Sequence, residues 1–176
     1  MKYYGKLGIR LILALVFILF YGIYDKILGP LTIYPAYFII DLFYNSNLIN
    51  ESIFIENYII KFIPACIAVL AYALLFFLIV LTKGIGLKKS VKLFVIGSGL
   101  ILLMNIFRID LLLFILIEFG DNMFDKVHLL FWNFVSGIYV AFVWIFLVKR
   151  FKVKEVPIAS DVKELYTRIY SRNYDK

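Results

Sequence analysis

Four apolar runs, at residues 7–24, 64–81, 93–119 and 129–148, are set apart by charged segments, and they decide what this chain can fold into. A helix rises about 1.5 Å per residue, so some 20 apolar residues cross the ~30 Å hydrocarbon core of a bilayer. Each run is therefore read as a membrane-crossing helix. Composition agrees: 64% of the residues are apolar and the mean hydropathy is +0.94, against the ~45–50% apolar usage of soluble domains. The fold class expected is an all-α integral membrane protein of four transmembrane helices. Residues 1–154 form the membrane domain and 155–176 a cytoplasmic tail.

The charges set the orientation. The net charge is +7, but the basic residues make no continuous face of the kind that binds nucleic acid. They cluster instead at the ends of the apolar runs. Lys2, Lys6 and Arg10 stand at the start of the first, ahead of its uninterrupted apolar part from Leu11. Lys83, Lys88, Lys89 and Lys92 lie between the second and third, and Lys149, Arg150, Lys152 and Lys154 close the fourth. The other two loops are poorer in lysine and arginine, so the positive-inside rule places both termini in the cytoplasm. A multi-pass protein of the plasma membrane follows. The first run has the basic start and apolar middle of a signal peptide. Tyr21-Gly22-Ile23-Tyr24-Asp25 offers no small-x-small cleavage pattern, however, so the run reads as an uncleaved anchor.

Residues 25–62 are mixed in character. The aromatic stretch 31–44 carries Pro35 and Asp41 and is too short to span, so an interfacial or re-entrant piece is expected there. Asn50-Glu51-Ser52 fits a glycosylation sequon, a triplet common by chance. The third run is interrupted by Asn105, Arg108 and Asp110, and an acidic loop with Glu118, Asp121 and Asp125 follows. Beyond the last run, residues 157–170 read as an amphipathic helix, with Asp161 and Glu164 at capping-box spacing. Gly97, Ser98, Gly99 and Gly137 suit close packing between membrane helices.

Three unusual residues map to similar depths. Cys66, the only cysteine, lies 17 residues before Lys83, and Arg108 lies 16 residues after Lys92. At the helical rise both stand roughly 25 Å above the cytoplasmic face. His128, the only histidine, lies 21 residues before Lys149, or roughly 30 Å up. A single cysteine excludes an internal disulfide, and one cysteine with one histidine is too few for a zinc site.

Each of the three also has an ordinary explanation. A lone cysteine packs well as a small apolar residue. Here, though, Pro64 suits a first helical turn, which places Cys66 near a helix N-terminus whose dipole lowers a thiol pKa. An arginine near the outer face can snorkel. At this depth a charge costs on the order of 3 kcal/mol, so a bundle interior or a functional site is its usual setting. Asp110, two residues on, points to another face, whereas Asn105 shares the face of Arg108. His128 lies in a polar segment where a solvated histidine needs no explanation, yet imidazole suits proton transfer near neutral pH.

Pro64-Ala65-Cys66, then Asn105-Ile106-Phe107-Arg108, then His128 opening the last run, resembles the exosortase/archaeosortase family of membrane transpeptidases. The likeness covers roughly residues 60–150 and is to the compact, archaeosortase-like four-span form. Cys66 is followed by Ile67-Ala68 where the family often carries glycine, and histidine at 128 is closer to the exosortase pattern than to the arginine of some archaeal members. The resemblance implies a cysteine-dependent peptidase and transpeptidase whose active site faces outward. It implies as partners exported proteins ending in a short motif, a membrane helix and a basic tail, with an amine of a lipid or envelope component as acceptor. Cys66 would be the nucleophile, Arg108 would stabilise the thiolate or oxyanion, His128 would move the proton, and Asn105 would orient Arg108. No cofactor or metal is implied. Two other classes fit the residues: a scaffold or complex subunit using Arg108 and Asp110 in buried pairs with Cys66 inert, and a transporter with Arg108 lining an anion path.

Overall fold

The computed structural model describes residues 3–19, 21–55, 58–63, 66–153, 157 and 166. Helix α1 (Tyr3–Leu19) is followed by α2 (Tyr21–Asp41), then three short strands, β1 (Ser46–Ile49), β2 (Ser52–Ile55) and β3 (Tyr58–Lys61). Helix α3 (Val69–Val80) and the long α4 (Leu87–Phe119) come next, then α5 (Asp121–Leu130), a π-helical turn at Phe131–Val135, and α6 (Ser136–Arg150). The tail helix expected at 157–170 lies outside the described residues, Pro157 and Tyr166 excepted.

Among the described residues, two helices are long and apolar enough to cross a membrane: α4, of 33 residues, and the continuous helix from Asp121 to Arg150, of 30. At 1.5 Å per residue they are about 50 and 45 Å long, so each outruns a ~30 Å core. The first apolar run is not one straight rod. Gly8–Phe17 and Gly22–Asp41 meet at 53°, and they make a third crossing if the bent pair is one span. The second run is shorter in helix than its sequence suggests, because α3 has 12 residues and reaches only about 18 Å. Its start slips from Pro64 to Val69 because Ala68 adopts a left-handed conformation, φ 58°, which a helix interior excludes. Cys66 therefore sits in a turn ahead of the helix and not in its first turn.

Three other expectations are revised. Asn105, Arg108 and Asp110 do not interrupt the third run, since polar groups turned toward protein leave the backbone ladder intact, and α4 is unbroken through them. The piece at 31–41 is helical, part of α2, which runs through Pro30 and Pro35, and its bend against α1 is that of a broken span or a re-entrant loop. His128 lies inside α5: the acidic loop is itself helical from Asp121, whose carboxylate stands in the first turn, where negative charge favours a helix.

The strands form an antiparallel sheet in the order β1-β2-β3. Asn50 and Glu51, the two residues joining β1 to β2, have φ 50° and 60°, as a type I′ hairpin turn requires. Asn tolerates that conformation, whereas Glu is strained in it. Glu51→Gly is therefore expected to stabilise the protein by about 0.5–1 kcal/mol, read as a rise in Tm. A fall would mean that the Glu51 side chain makes a contact worth more than the strain.

Packing divides into two cores along α4. The first joins α3, α4 and α6 through Tyr72, Leu75, Ile79, Leu93, Ile101, Val140, Val143 and Leu147. Gly97 lies within this three-helix junction, where a β-carbon would stand 2.6 Å from Leu75 Cδ2 and 2.9 Å from Leu147 Cδ1. Gly99 and Gly137, also expected to pack closely, meet nothing within 4 Å. The second core caps the far end of α4: Ala36 and Ile40 of α2 and Ile53 and Ile55 of β2 enclose Ile109 and Leu113. Period-two alternation aims Ile53 and Ile55 at that core. The cap is tied down by Ser46, whose backbone N–H and hydroxyl donate to Asp41 Oδ1 at 3.1 and 2.8 Å. Tyr44 also donates to Glu118 at 2.7 Å. Asn105 and Arg108 fall on α4 between Ile101 of the first core and Ile109 of the second.

Candidate active site at the Cys66 turn

The turn holding Cys66 leaves backbone groups that no helix satisfies. Its N–H donates to the Ile63 carbonyl at 2.8 Å. Its carbonyl accepts two side-chain bonds from α4, from Asn105 Nδ2 at 2.9 Å and from an Arg108 terminal nitrogen at 3.1 Å. Asn105 and Arg108 are three residues apart and so share one helix face. Both are buried, at 4% and 6% exposure. A buried backbone carbonyl outside a helix needs a donor, and these two side chains supply it. The Cys66 side chain itself is half-buried. The carbonyl partner fixes the Asn105 amide orientation, which leaves Oδ1 facing away. That buried atom accepts no hydrogen bond among the described residues.

Beside the turn lies an open cavity of about 260 Å³, walled by Val69, Leu70 and Leu74 of α3 and by Trp132, Gly137 and Val140 opposite. Arg108 is the only charged residue lining it. A smaller void of about 30 Å³ adjoins it, bounded by Asn105, Arg108, Ser136 and Tyr139 among others. The far wall is shaped by the π-helical turn. There the Ser136 N–H and hydroxyl both reach the Phe131 carbonyl, the hydroxyl at 2.9 Å. Such turns are rare and often mark functional sites. Tyr139 braces the wall against α4 by donating to the Leu100 carbonyl at 2.9 Å.

Of the residues singled out in the sequence, the fold brings together Cys66, Asn105 and Arg108. His128 is half-buried, its ring centroid 5.4 Å from that of Phe124. It stands four residues before the cavity-lining Trp132, a rise of about 6 Å, and does not itself line the cavity. Trp132 and Ser136 were not anticipated, and Gly137, expected to pack between helices, lines the cavity instead. Pro64 and Ala65 lie outside the described residues, and among those described no three His, Cys, Asp or Glu side chains converge as a metal site. No protein-family model matches the chain, and no curated protein and no solved structure matches it.

Proposed function

We propose that this chain is a membrane cysteine peptidase and transpeptidase that acts on exported proteins at the outer face of a four-span bundle with both termini inside. The observation that carries the reading is the junction just described. A lone cysteine sits on a turn whose carbonyl is pinned by a buried guanidinium and a buried amide, two residues before Ala68, which lines an apolar cavity. The thiolate is the nucleophilic form of the side chain.

The chemistry runs in two halves. The Cys66 thiolate attacks the scissile carbonyl carbon and forms a C–S bond, while charge gathers on the carbonyl oxygen. Arg108 stabilises that oxyanion, and Asn105 positions Arg108. Collapse of the tetrahedral intermediate breaks the C–N bond, and the amine leaves with a proton supplied by His128 from one helical turn beyond the rim. The thioester is then attacked by an acceptor amine of a lipid or envelope component, and the thiolate departs. The cavity's apolar walls suit the membrane helix of a substrate that ends in a short motif, such a helix and a basic tail.

One observation favours a second reading. The guanidinium hydrogen-bonds the carbonyl of Cys66, which is what a scaffold protein needs to bury irregular backbone. A membrane-impermeant maleimide separates the two. A reporter bearing such a C-terminal signal is expected to be processed in the same membranes, and processing is expected to stop once Cys66 is alkylated from outside. Processing that continues at full alkylation would leave the scaffold reading standing.

A further inference from the structure

We propose that the groove between α1 and the α3–α4 pair binds an anionic phospholipid of the leaflet facing the bundle's basic end. This rests on the membrane placement proposed above and is independent of the thiol chemistry. The groove, about 430 Å³, opens between Leu13 of α1, Phe76 of α3 and Val91 and Phe94 of α4. Arg10 and Ser90 line it as well, so the lining includes a guanidinium and a hydroxyl among mostly apolar side chains. Leu13, Leu87 and Val91 are exposed, which leaves the groove open on its flank to acyl chains. A second cavity, about 380 Å³, shares Leu13, Phe76 and Phe94 with it and continues past Phe17 and Tyr24.

The two cavities together form an amphipathic slot. Its mouth fits a phosphodiester, because a planar guanidinium pairs with phosphate oxygens and a hydroxyl adds one donor. Its interior fits an acyl chain. The basic segment that supplies part of the lining points to an anionic head group. Lys83, Lys88, Lys89 and Lys92 lie in the segment that contributes Leu87, Ser90 and Val91 to the slot. Basic pockets between membrane helices on the cytoplasmic side are suited to anionic head groups. Helix α1 packs on the bundle through α3, so a lipid in this slot bridges α1 to α4.

Thermal unfolding of the full chain in detergent, with added lipid, tests the proposal. Phosphatidylglycerol at ~100-fold above its Kd is expected to raise Tm by roughly 5 °C. Phosphatidylcholine and inorganic phosphate at the same concentration should not. Arg10→Gln should weaken the effect at least ~10-fold, while Lys149→Gln, an equal charge loss on α6, should leave it intact. Val91→Trp fills the slot without touching charge and should also remove it, which covers the case in which Arg10→Gln fails to fold. Equal losses in Arg10→Gln and Lys149→Gln would mean diffuse attraction to the basic end and overturn the site. Equal stabilisation by phosphatidylcholine, or by phosphate alone, would overturn the head-group or the acyl-chain half. Reporter cleavage is read separately, so failure here and failure of the peptidase reading are distinguishable.

Discussion

Cys66→Ala is expected to leave a matching reporter uncleaved, a fall of at least ~10³-fold, with the protein still folded. The side chain is half-buried and small, and its replacement removes one sulfur and no hydrogen bond on which the turn depends, because the bonds from Asn105 and Arg108 end on the backbone carbonyl. Arg108→Lys is the companion test. Removing one oxyanion donor costs about 10²–10³ in rate. Lysine keeps the charge but lacks the fork that lets guanidinium hold the turn and face the cavity together. Stability should change far less than rate. Lysine keeps a buried cation and one point donor toward the turn, so at most one charged hydrogen bond, worth about 1.5–3 kcal/mol, is at stake. Asn105 still satisfies the carbonyl. A variant with near-normal Tm and collapsed cleavage is the signature of a catalytic role. If Arg108→Lys cleaves normally, the residue is a point charge; if Cys66→Ala cleaves, the thiol chemistry is wrong.

The same contact shows how much of this site was legible in the sequence. Counting residues from Lys83 and Lys92 put Cys66 and Arg108 at one depth, and an Arg108 terminal nitrogen lies 3.1 Å from the Cys66 carbonyl. The two residues meet although only half of the count rests on helix: α4 is regular from its basic end to Arg108, whereas α3 covers only Val69–Val80 of the stretch from Cys66 to Lys83. For His128 the same count gave roughly 30 Å against roughly 25 Å, and the fold places it one turn beyond the cavity rim for that reason. The turn at 66–68 was invisible, because Ala68 in a left-handed conformation carries none of the glycine or asparagine signal that marks such positions. The sheet was hidden similarly. Its strands are four residues each, and the first hairpin turns on Asn50-Glu51, where the usual signal is Asn-Gly. The Ile53 and Ile55 alternation was the usable cue. The π-helical turn at Phe131–Val135 depends on tertiary context and leaves no periodicity to read.

Gly97→Leu is expected to be the most damaging substitution outside the site, at about 3 kcal/mol or more, because its β-carbon alone would stand 2.6 Å from Leu75 and 2.9 Å from Leu147. Both leucines are fully buried at 0% exposure, so neither has space to swing aside. Within lipid, helices associate by close packing and not by escape from water, so a forced separation of α3, α4 and α6 has no compensating term. Gly99→Leu is the internal control. It lies two residues away on the same helix, gains the same helix propensity over glycine, and meets nothing within 4 Å. Its Tm should match or slightly exceed wild type. Adding Leu75→Ala to Gly97→Leu should recover at least ~1 kcal/mol relative to the sum of the two single effects, since the new side chain then occupies the space that Leu75 vacates. Cys66 reports the outcome directly: its turn is held by α4, so loosening the three-helix junction should speed alkylation of the thiol in Gly97→Leu and not in Gly99→Leu. Equal effects from the two glycine positions would show that helix α4 tolerates bulk along its whole length, and that the three-helix junction is not what sets the spacing.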